Sequence, residues 1–571
     1  MQRRVFVLMN TMLKIDATTK LRWLILATLL VNAAPMLSPI INEGDSITYA
    51  ALSQHIANSG DWMSLVLEGK DWLDKPHFPF WITALFFKIG GISAFTYILP
   101  GYLFHLLGGY FAYRIARQFY DRSTALLTLL VYVSVYHLMY TSSEIKAEAF
   151  LTGSITGACY YWLRFDAASK VKHLLLGALF SAVAVMTKGV FTLITIASGL
   201  VCMWAYQKQW RKFWSAKWLL AVVVTVLFTA PELIALYLQF DAHPENVVFG
   251  RTHVSGIKFF AWDSQFGRFF NFGPITKVEG SPFYYLHVFL WAYLPWVVVF
   301  LAALYKGVRG LLGRKLQHAA AFVFLVGSFF VTFALFSATT FQIDYYTVIL
   351  FPFASILCGH YLKCFFEDTR HAIALPLLQM GVAALVFSLA LGVTVYVNQA
   401  LVSYTAFAFF CVTLLLSFYL RADRKLLLVL VLPVLSINAV FAAFELSAYL
   451  ACYRYSIPYN MQKYVPGNPD VPVYFYQLDP INAQELSVYT GADGTYIKWL
   501  SDIPADTSQY YLVIRSENLE QLSSTIGHFE VLTEGQWVDH KSGLLPRMLR
   551  IAKGVEPLEA ISVVKVGASR L

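Results

Sequence analysis

We predict from this sequence a polytopic α-helical membrane protein with about 13 transmembrane helices and a small C-terminal α/β region. Three observations support this prediction. Of the 571 residues, 58% are hydrophobic and only 13% are charged, whereas about a quarter of the residues of a soluble globular protein are charged. The apolar runs between Trp23 and Leu450 are long enough to cross a bilayer at roughly 20 residues each. The chain after Leu450 is polar.

The chain is predicted to divide near Leu450 into two regions. Residues 1–450 form the transmembrane region, which includes a first extracytoplasmic loop at residues 42–80. Residues 451–571 form an extracytoplasmic α/β domain, in which β-rich runs predict strands and one polar run predicts a helix. The predicted strands are residues 471–476, 510–514 and 548–551, and the predicted helix is residues 517–523.

The spans are predicted from apolar runs of sufficient length. A further apolar run, residues 80–89, follows two prolines and is too short for a span, so we assign it to an interfacial or re-entrant segment. In the loop before it, residues 46–56 place Ile47, Ala51 and Leu52 on one helical face, and we expect this helix to lie in the membrane interface. The predicted spans are residues 23–41, 95–113, 123–140, 147–163, 173–186, 190–206, 218–238, 285–305, 319–337, 345–362, 372–395, 400–419 and 426–444.

The Lys and Arg residues indicate the orientation of the chain. They form short clusters at every second predicted crossing, and loops rich in positive charge face the cytoplasm. The N-terminus is therefore predicted to be cytoplasmic, and the first loop and the tail after Leu450 extracytoplasmic. The net charge of +9 comes from dispersed clusters rather than from one basic face, which argues against a nucleic-acid partner. Two of the clusters are Arg164, Lys170 and Lys172, and Lys208, Arg211, Lys212 and Lys217.

Two charged residues lie where a predicted span meets the outer surface. Glu148 opens the fourth span, and an ionisable group at that depth is costly unless it faces a polar cavity or a partner. Lys188 lies between the fifth and sixth spans, where a lysine either binds an anion such as a phosphate or extends to lipid headgroups. Both residues are candidates for a functional site. Other acids of the first loop, such as Asp61 and Asp71, are also explained as solvated surface charges.

A series of short motifs runs along the chain at fixed intervals. In chain order the motifs are Asp45-x3-Tyr49-Ala50, Gly60-Asp61-Trp62, Asp74-Lys75-Pro76, Lys146-Ala147-Glu148, Thr187-Lys188-Gly189, Pro282-Phe283-Tyr284-Tyr285, Pro295-Trp296 and Tyr345-Tyr346. In this order and spacing they resemble the bacterial aminoarabinose transferases that act on lipid A and the wider protein O-mannosyltransferase-like superfamily. The similarity covers about residues 20–370.

The resemblance implies a fold and an activity. The fold is that of a GT-C glycosyltransferase with a cavity open to the outer face. The donor is a polyprenyl-phosphate sugar, from which a hexosyl or pentosyl group moves with inversion to lipid A or another envelope glycolipid. The location is the extracytoplasmic face of the bacterial cytoplasmic (inner) membrane.

The resemblance also implies roles for individual residues. Asp45 would orient the acceptor or act as its base, and Glu148 would be the second catalytic residue. The leaving phosphate is already anionic, so it needs cations rather than a proton. Lys75 and Lys188 would bind the donor phosphate. The hydrogen-bond donors beside them would be Tyr345 and Tyr346.

The chain departs from the family pattern at several positions. Ser46 stands where the family usually has Glu after its Asp, and Gln342 replaces a common Lys. Asp74 replaces the Glu of Glu-Lys-Pro. Some relatives bind a divalent metal through that Glu and a His; the His position is Glu279 here, and His253 is a more distant option. A divalent metal held by Asp74 and Glu279 is therefore an expectation.

Two alternative functions fit the same residues. The first is a protein O-glycosyltransferase of the same fold, which differs only in its acceptor. The second, from another class, is a transporter of a lipid-linked sugar. A transporter would have polar residues near the middle of the membrane in matching halves, whereas the acids here lie at the outer ends of the predicted spans.

Overall fold

The computed structural model consists of a large helical bundle and a small sheet region near the C-terminus. It describes residues 17–38, 41, 45–276, 280–368, 373–397, 424–448, 451, 461, 464–465, 471–478, 480–491, 494–537 and 545–567. The helices of the bundle are α1 (Ala17–Ala33), α2 (Asp45–Ser59), α3 (Phe78–Gly90), α4 (Ala94–Phe119), α5 (Arg122–Val133), α6 (Tyr136–Ser143), α7 (Ala147–Ala168), α8 (Val171–Lys188), α9 (Thr192–Tyr206), α10 (Ala216–Phe228), α11 (Ala230–Leu236), α12 (Ser264–Phe270), α13 (Tyr284–Ala292), α14 (Val297–Leu312), α15 (Ala319–Ala338), α16 (Phe351–Glu367), α17 (Ala374–Tyr396) and α18 (Leu432–Ala443).

The C-terminal region contains three helices and five strands in the described residues. The helices are α19 (Pro480–Thr490), α20 (Leu519–Ile526) and α21 (Leu545–Lys553). The strands of the chain are β1 (Val66–Leu67), β2 (Lys70–Asp71), β3 (Val473–Tyr476), β4 (Thr495–Ile497), β5 (Gln509–Arg515), β6 (Phe529–Trp537) and β7 (Glu559–Gly567). Strands β3 to β7 belong to the C-terminal region, and the other two strands, β1 and β2, form a hairpin in the loop between α2 and α3. The central residues of this hairpin, Glu68 and Gly69, both have positive φ, as a type I′ turn requires.

The bundle has the composition of a membrane domain. In the described ranges, six helices are long and apolar enough to cross a membrane, and the number rises to nine if each of three bent pairs is one crossing. Together with the C-terminal sheet, these helices confirm the predicted polytopic α-helical fold with a small α/β region. The prediction of about 13 spans stays a prediction, because the span at 400–419 lies outside the described residues.

Three of the predicted spans, residues 123–140, 218–238 and 285–305, each consist of two helices with a bend between them. The bend is 60° between α5 and α6, 43° between α10 and α11, and 115° between α13 and α14. Pro231 lies in the first turn of α11 and Pro295 in the connection after α13. Proline lacks a backbone N–H and favours such breaks. No proline accompanies the first bend, at Ser134 and Val135.

The loop helix α2 packs into the protein. Its residues Ile47, Leu52 and Ile56 are buried in a cluster that also contains Phe80 of α3 and Tyr97 of α4. Other parts of the chain cover this apolar face, so the face itself does not contact lipid; the expectation that the helix lies in the membrane interface stays a prediction. The helix is therefore held in a fixed position relative to the bundle.

The C-terminal strands form one mixed sheet. Its strand order is β4-β3-β5-β7-β6; β3 is parallel to β4 and β5, and β7 is antiparallel to β5 and β6. The predicted strand at 548–551 is wrong, since these residues lie in α21. Met548, Leu549 and Ala552 share one face of α21 and pack against the apolar cluster of α17 and α18, so helical spacing decides the local structure.

The C-terminal region also contacts α2 directly. Gln484 of α19 accepts a hydrogen bond from Thr48 (2.8 Å) and donates one to Glu68 (2.8 Å). The amide of Gln54 donates to the Ser487 carbonyl oxygen (3.0 Å). The C-terminal region thus helps to hold α2 in place through hydrogen bonds with α19.

Close contacts between helices make one glycine critical for stability. A Cβ at Gly153 of α7 would overlap the Phe104 carbonyl oxygen of α4, whereas a Cβ at Gly381 of α17 has nothing within 4 Å. We expect Gly153→Ala to lower stability by about 1–3 kcal/mol through overpacking. The control Gly381→Ala should keep or slightly raise stability, because alanine favours helix. Thermal unfolding of the two purified variants measures both effects, and equal unfolding temperatures would contradict the packing argument.

Candidate active site

The residues singled out in the sequence meet at one end of the bundle. Asp45 begins α2, Lys75 lies in the loop before α3, Glu148 lies in the first turn of α7, and Lys188 is the last residue of α8. The 3-10 turn Asp344–Leu350 before α16 carries the two predicted tyrosines. Contacts between these side chains connect them into one network.

Glu148 and Lys188 form a buried ion pair. The side chains of Lys188 and Glu148 are 5% and 1% exposed, and the Lys188 ammonium contacts Oε1 of Glu148. The pair lies between the N-terminus of α7 and the C-terminus of α8, where helix dipoles favour a negative and a positive charge, respectively. Gly189, with φ of 112°, ends α8 directly after Lys188. Lys188 therefore has a countercharge of its own.

Two tyrosines link this ion pair to Asp45. The Tyr345 hydroxyl donates to Oδ2 of Asp45 (2.9 Å), and Lys188 Nζ lies 3.7 Å from the ring centre of Tyr346. Lys146 Nζ lies 4.3 Å from the ring centre of Tyr345. Cations are attracted to ring faces at such distances. The Tyr345 hydroxyl is thus directed to Asp45, while the Tyr346 ring covers Lys188.

The Asp74 carboxylate is shared by two cations. Lys75 Nζ lies 2.5 Å from Oδ2, and the Arg268 guanidinium contacts Oδ1 and donates to the Asp74 carbonyl oxygen (3.2 Å). Burial alone would raise the pKa of Asp74, but the charges of Lys75 and Arg268 outweigh burial and hold that pKa below its usual value. Two cations thus face one ionised carboxylate, which leaves an excess of positive charge.

Two adjoining clefts open onto this cluster. The first cleft is lined by Asp74, Lys75 and Lys188 together with Glu232, and the space between its walls, including the part open to solvent, is about 260 Å³. The second, with about 500 Å³ of such space, shares Lys188 and is otherwise mainly apolar; its other lining residues include Arg268, Phe191, Phe336, Phe341 and Tyr346. Arg268 Nε is buried, and no described residue accepts a hydrogen bond from it. The combination suits a ligand with an anionic end and an apolar end.

The position of Asp45 is fixed by its neighbour. Ser46 is buried and donates to the Ile145 carbonyl oxygen (3.2 Å). The Tyr97 hydroxyl donates to the carbonyl oxygens of Ser46 (2.7 Å) and Ile145 (2.9 Å). The serine that departs from the family pattern therefore ties the start of α2 to the loop before α7, which carries the Glu144–Lys146 ion pair (2.7 Å).

Sequence reasoning left three residues of this site without a role. Arg268 lies between the predicted spans 218–238 and 285–305, in a segment that the charge pattern places outside the cytoplasm, but its partner Asp74 is 194 residues away. Glu232 and His77 form a fully buried pair: Glu232 accepts from the His77 backbone N–H (2.9 Å) and lies 3.0 Å from Nδ1 of its ring. An acid inside an apolar span is a functional candidate, and this signal would have identified Glu232.

The metal expected from the family pattern has few ligands among the described residues. Asp74 is engaged by two cations, Glu279 lies outside the described residues, and the described ranges contain no group of three His, Cys, Asp or Glu side chains that could hold a metal ion. One carboxylate with both oxygens paired fits a divalent cation poorly. The described residues thus do not supply a metal centre.

Comparison with known proteins relates the chain to sugar transferases. Residues 74–234 match the family described as dolichyl-phosphate-mannose-protein mannosyltransferase. An undecaprenyl phosphate-alpha-4-amino-4-deoxy-L-arabinose arabinosyl transferase of Edwardsiella ictaluri is 26% identical over 348 residues, 59% of this chain and 59% of the relative. The corresponding Pseudomonas aeruginosa protein is 26% identical over 57% of each chain. The chain thus spans less than two thirds of the length of these relatives.

A solved structure matches nearly the whole chain. The crystal structure of ArnT from Cupriavidus metallidurans bound to undecaprenyl phosphate aligns with a TM-score of 0.71, covering 97% of this chain and 99% of that one at 17% identity. The apo form of the same protein aligns with a TM-score of 0.70. At this identity the likeness shows the fold, and it includes the C-terminal region.

The buried His77–Glu232 pair should be necessary for a stable site. Glu232→Ala removes both acceptors of His77, and breaking a buried pair costs roughly 3–5 kcal/mol. We therefore expect a large drop in the unfolding temperature. The matched control is Glu245→Ala, because Glu245 lies 3.0 Å from His243 in the same type of pair, but the two side chains are 69% and 58% exposed. An unchanged unfolding temperature for Glu232→Ala would contradict the structural role.

Proposed function

We propose that this chain, an ArnT-like protein with the GT-C glycosyltransferase fold, transfers a sugar from a polyprenyl-phosphate carrier to an acceptor at the membrane surface. The observation that carries the proposal is the shared Asp74 carboxylate. Lys75 and Arg268 together exceed its charge by one, next to an apolar cleft. An excess positive charge suits a phosphate, and an apolar cleft suits the prenyl chain attached to it.

The donor end of the reaction requires electrostatic stabilisation. When the bond between the anomeric carbon and the phosphate oxygen breaks, the polyprenyl phosphate leaves as an anion and needs no proton. Fixed cations near that oxygen stabilise the developing charge. Lys75 and Arg268 are proposed for this role. Lys188, which Glu148 neutralises, positions the tyrosine rings and contributes less charge than the family pattern implies.

The acceptor end is proposed to lie at Asp45. Its side chain is exposed, and the hydrogen bond from Tyr345 orients the carboxylate. A carboxylate so held can take the proton of an attacking hydroxyl, or can position an acceptor phosphate, which is already ionised near pH 7. A single attack at the anomeric carbon, opposite the leaving phosphate, inverts its configuration. Glu148 acts through Lys188 rather than on the acceptor.

Two acceptors are supported by different comparisons. The names of the arabinosyl transferase relatives favour an undecaprenyl-phosphate-linked aminoarabinose as the donor, and the motif resemblance implies lipid A or another envelope glycolipid as the acceptor. The description of the family matching residues 74–234 favours a protein acceptor. We propose the lipid acceptor, because the motifs of that resemblance extend over about residues 20–370, whereas the mannosyltransferase family matches only residues 74–234. A divalent metal is not needed for these steps.

The orientation proposed for this membrane protein places the site outside the cytoplasm. The basic clusters of the α7–α8 and α9–α10 connections lie at the helix ends opposite to Lys188. Positively charged connections face the cytoplasm, so the site lies on the extracytoplasmic side of the bacterial inner membrane. The C-terminal region, which contacts α2 at the site, lies on the same side.

Substitution of the proposed site residues tests the activity. The assay uses purified protein, undecaprenyl-phosphate-linked aminoarabinose and lipid A. We expect Lys75→Ala to lower kcat/KM roughly 10²- to 10³-fold, because it removes charge stabilisation, and Asp45→Asn to lower kcat at least about 10²-fold. The control Lys258→Ala, whose side chain is 70% exposed, should keep full activity.

The acceptor is tested in membranes that contain the wild-type protein. A labelled donor is supplied to membranes, and the lipid and protein fractions are counted separately. Label in lipid A supports the proposed acceptor, and label confined to protein would replace it.

In the assay with purified protein, full turnover by both Lys75→Ala and Asp45→Asn would refute the proposed mechanism.

Reporter fusions test the orientation. We expect alkaline phosphatase fused after Leu571 to be active and green fluorescent protein fused there to be dark. The activity of the first and the fluorescence of the second both depend on whether the fused protein lies outside or inside the cytoplasm. Fusions after Lys208, in a predicted cytoplasmic connection, should give the opposite pattern. An active fluorescent protein at the C-terminus would place the tail in the cytoplasm.

A further inference from the structure

A third cavity lies along helices α9 and α10. The space between its walls, including the part open to the surroundings, is about 840 Å³; the walls are mainly aliphatic and aromatic and include Leu193, Leu200, Trp204, Trp218 and Val222. From Leu193 to Trp204 the cavity follows α9 for about 16 Å at 1.5 Å per residue. One leaflet of the hydrocarbon core is about 15 Å thick. The cavity therefore has the length of one lipid acyl chain.

Two indole donors at one end of this cavity lack partners. Nε1 of Trp204 and Nε1 of Trp218 are both buried, and no described residue accepts from them. The two rings lie 4.9 Å apart. An indole N–H can only donate, and buried polar groups are nearly always hydrogen-bonded. A ligand that reaches these two N–H groups must carry acceptor oxygens.

The same end of the cavity is strongly basic. Lys212 lines the cavity, and its ammonium lies 2.7 Å from Asp166 and 5.7 Å from the ring centre of Trp204. Asp166 is the one acid of residues 164–217. The basic residues at this end are Arg164, Lys170, Lys172, Lys208, Arg211, Lys212 and Lys217. Such a cluster attracts anionic lipid headgroups of the cytoplasmic leaflet.

We propose that this cavity is a binding site for an anionic phospholipid of the leaflet opposite to the active site. The phosphate accepts hydrogen bonds from the two indoles beside Lys212, and one acyl chain lies along α9 toward Leu193. A ligand here contacts α7, α8, α9 and α10 together. Its binding therefore stabilises the part of the bundle whose far end carries Lys188.

Lipid retention tests the proposal. The full-length protein is purified in detergent with phosphatidylglycerol or phosphatidylcholine, and the bound lipid is counted by native mass spectrometry. We expect the wild type to retain phosphatidylglycerol, and the double variant Trp204→Phe/Trp218→Phe to bind it about tenfold more weakly. The control Trp214→Phe, with Trp214 92% exposed, should bind as the wild type does. Equal retention of the two lipids, or equal binding by the double variant, would overturn the proposal.

A second measurement covers the case in which the double variant fails to fold. Trp218→Phe alone keeps Trp204, and added phosphatidylglycerol should raise its unfolding temperature less than that of the wild type, since ligands stabilise the state that binds them. Glycerol phosphate, which lacks acyl chains, should have no effect on the wild type. Equal stabilisation by glycerol phosphate would show that an anion alone binds and would overturn the role of the apolar cavity.

Discussion

The arrangement of the site depends on how the Asp74 carboxylate is held. The Asp74 side chain is partly buried, at 28% exposed, and a carboxylate removed from water is costly unless it is paired and hydrogen-bonded. Asp74 meets this requirement with one cation from its own loop, Lys75, and one from α12, Arg268. Because one carboxylate neutralises only one of them, the second positive charge is available to a ligand. The loop before α3 and the helix α12 are thus joined by the same contact that prepares an anion site.

The Glu148–Lys188 pair has a different consequence. Both side chains are nearly inaccessible, and the pair joins the facing ends of two antiparallel helices. A lysine with its own buried countercharge contributes little net attraction for a phosphate. Its contact with the ring of Tyr346 instead fixes the 3-10 turn that carries Tyr345, and Tyr345 in turn orients Asp45. The residues of these family motifs therefore lie together in the structure, whereas their roles in the reaction stay proposals.

Motif order and apolar runs were sufficient to predict the fold class and the convergence of Asp45, Lys75, Glu148 and Lys188. The partners of these residues could not be predicted, because pairs such as Asp74 and Arg268 are separated by 194 residues. The bend at Ser134 has no local signal, since no proline marks it. The segment at 548–551 shows the same limit: its apolar residues fit a strand locally, and packing against α17 and α18 decides for a helix.

The two ends of the proposed reaction are built by different parts of the chain. Membrane helices and their connections provide the cations at Asp74. The acceptor side at Asp45 belongs to α2, which the bundle holds through Tyr97 and Ser46 and the C-terminal helix α19 holds through Gln484. Because α19 contacts α2 and the hairpin after it, the C-terminal region stabilises the orientation of the Asp45 carboxylate at the start of α2. A tail without a catalytic motif of its own therefore contributes to the site by holding one helix in place.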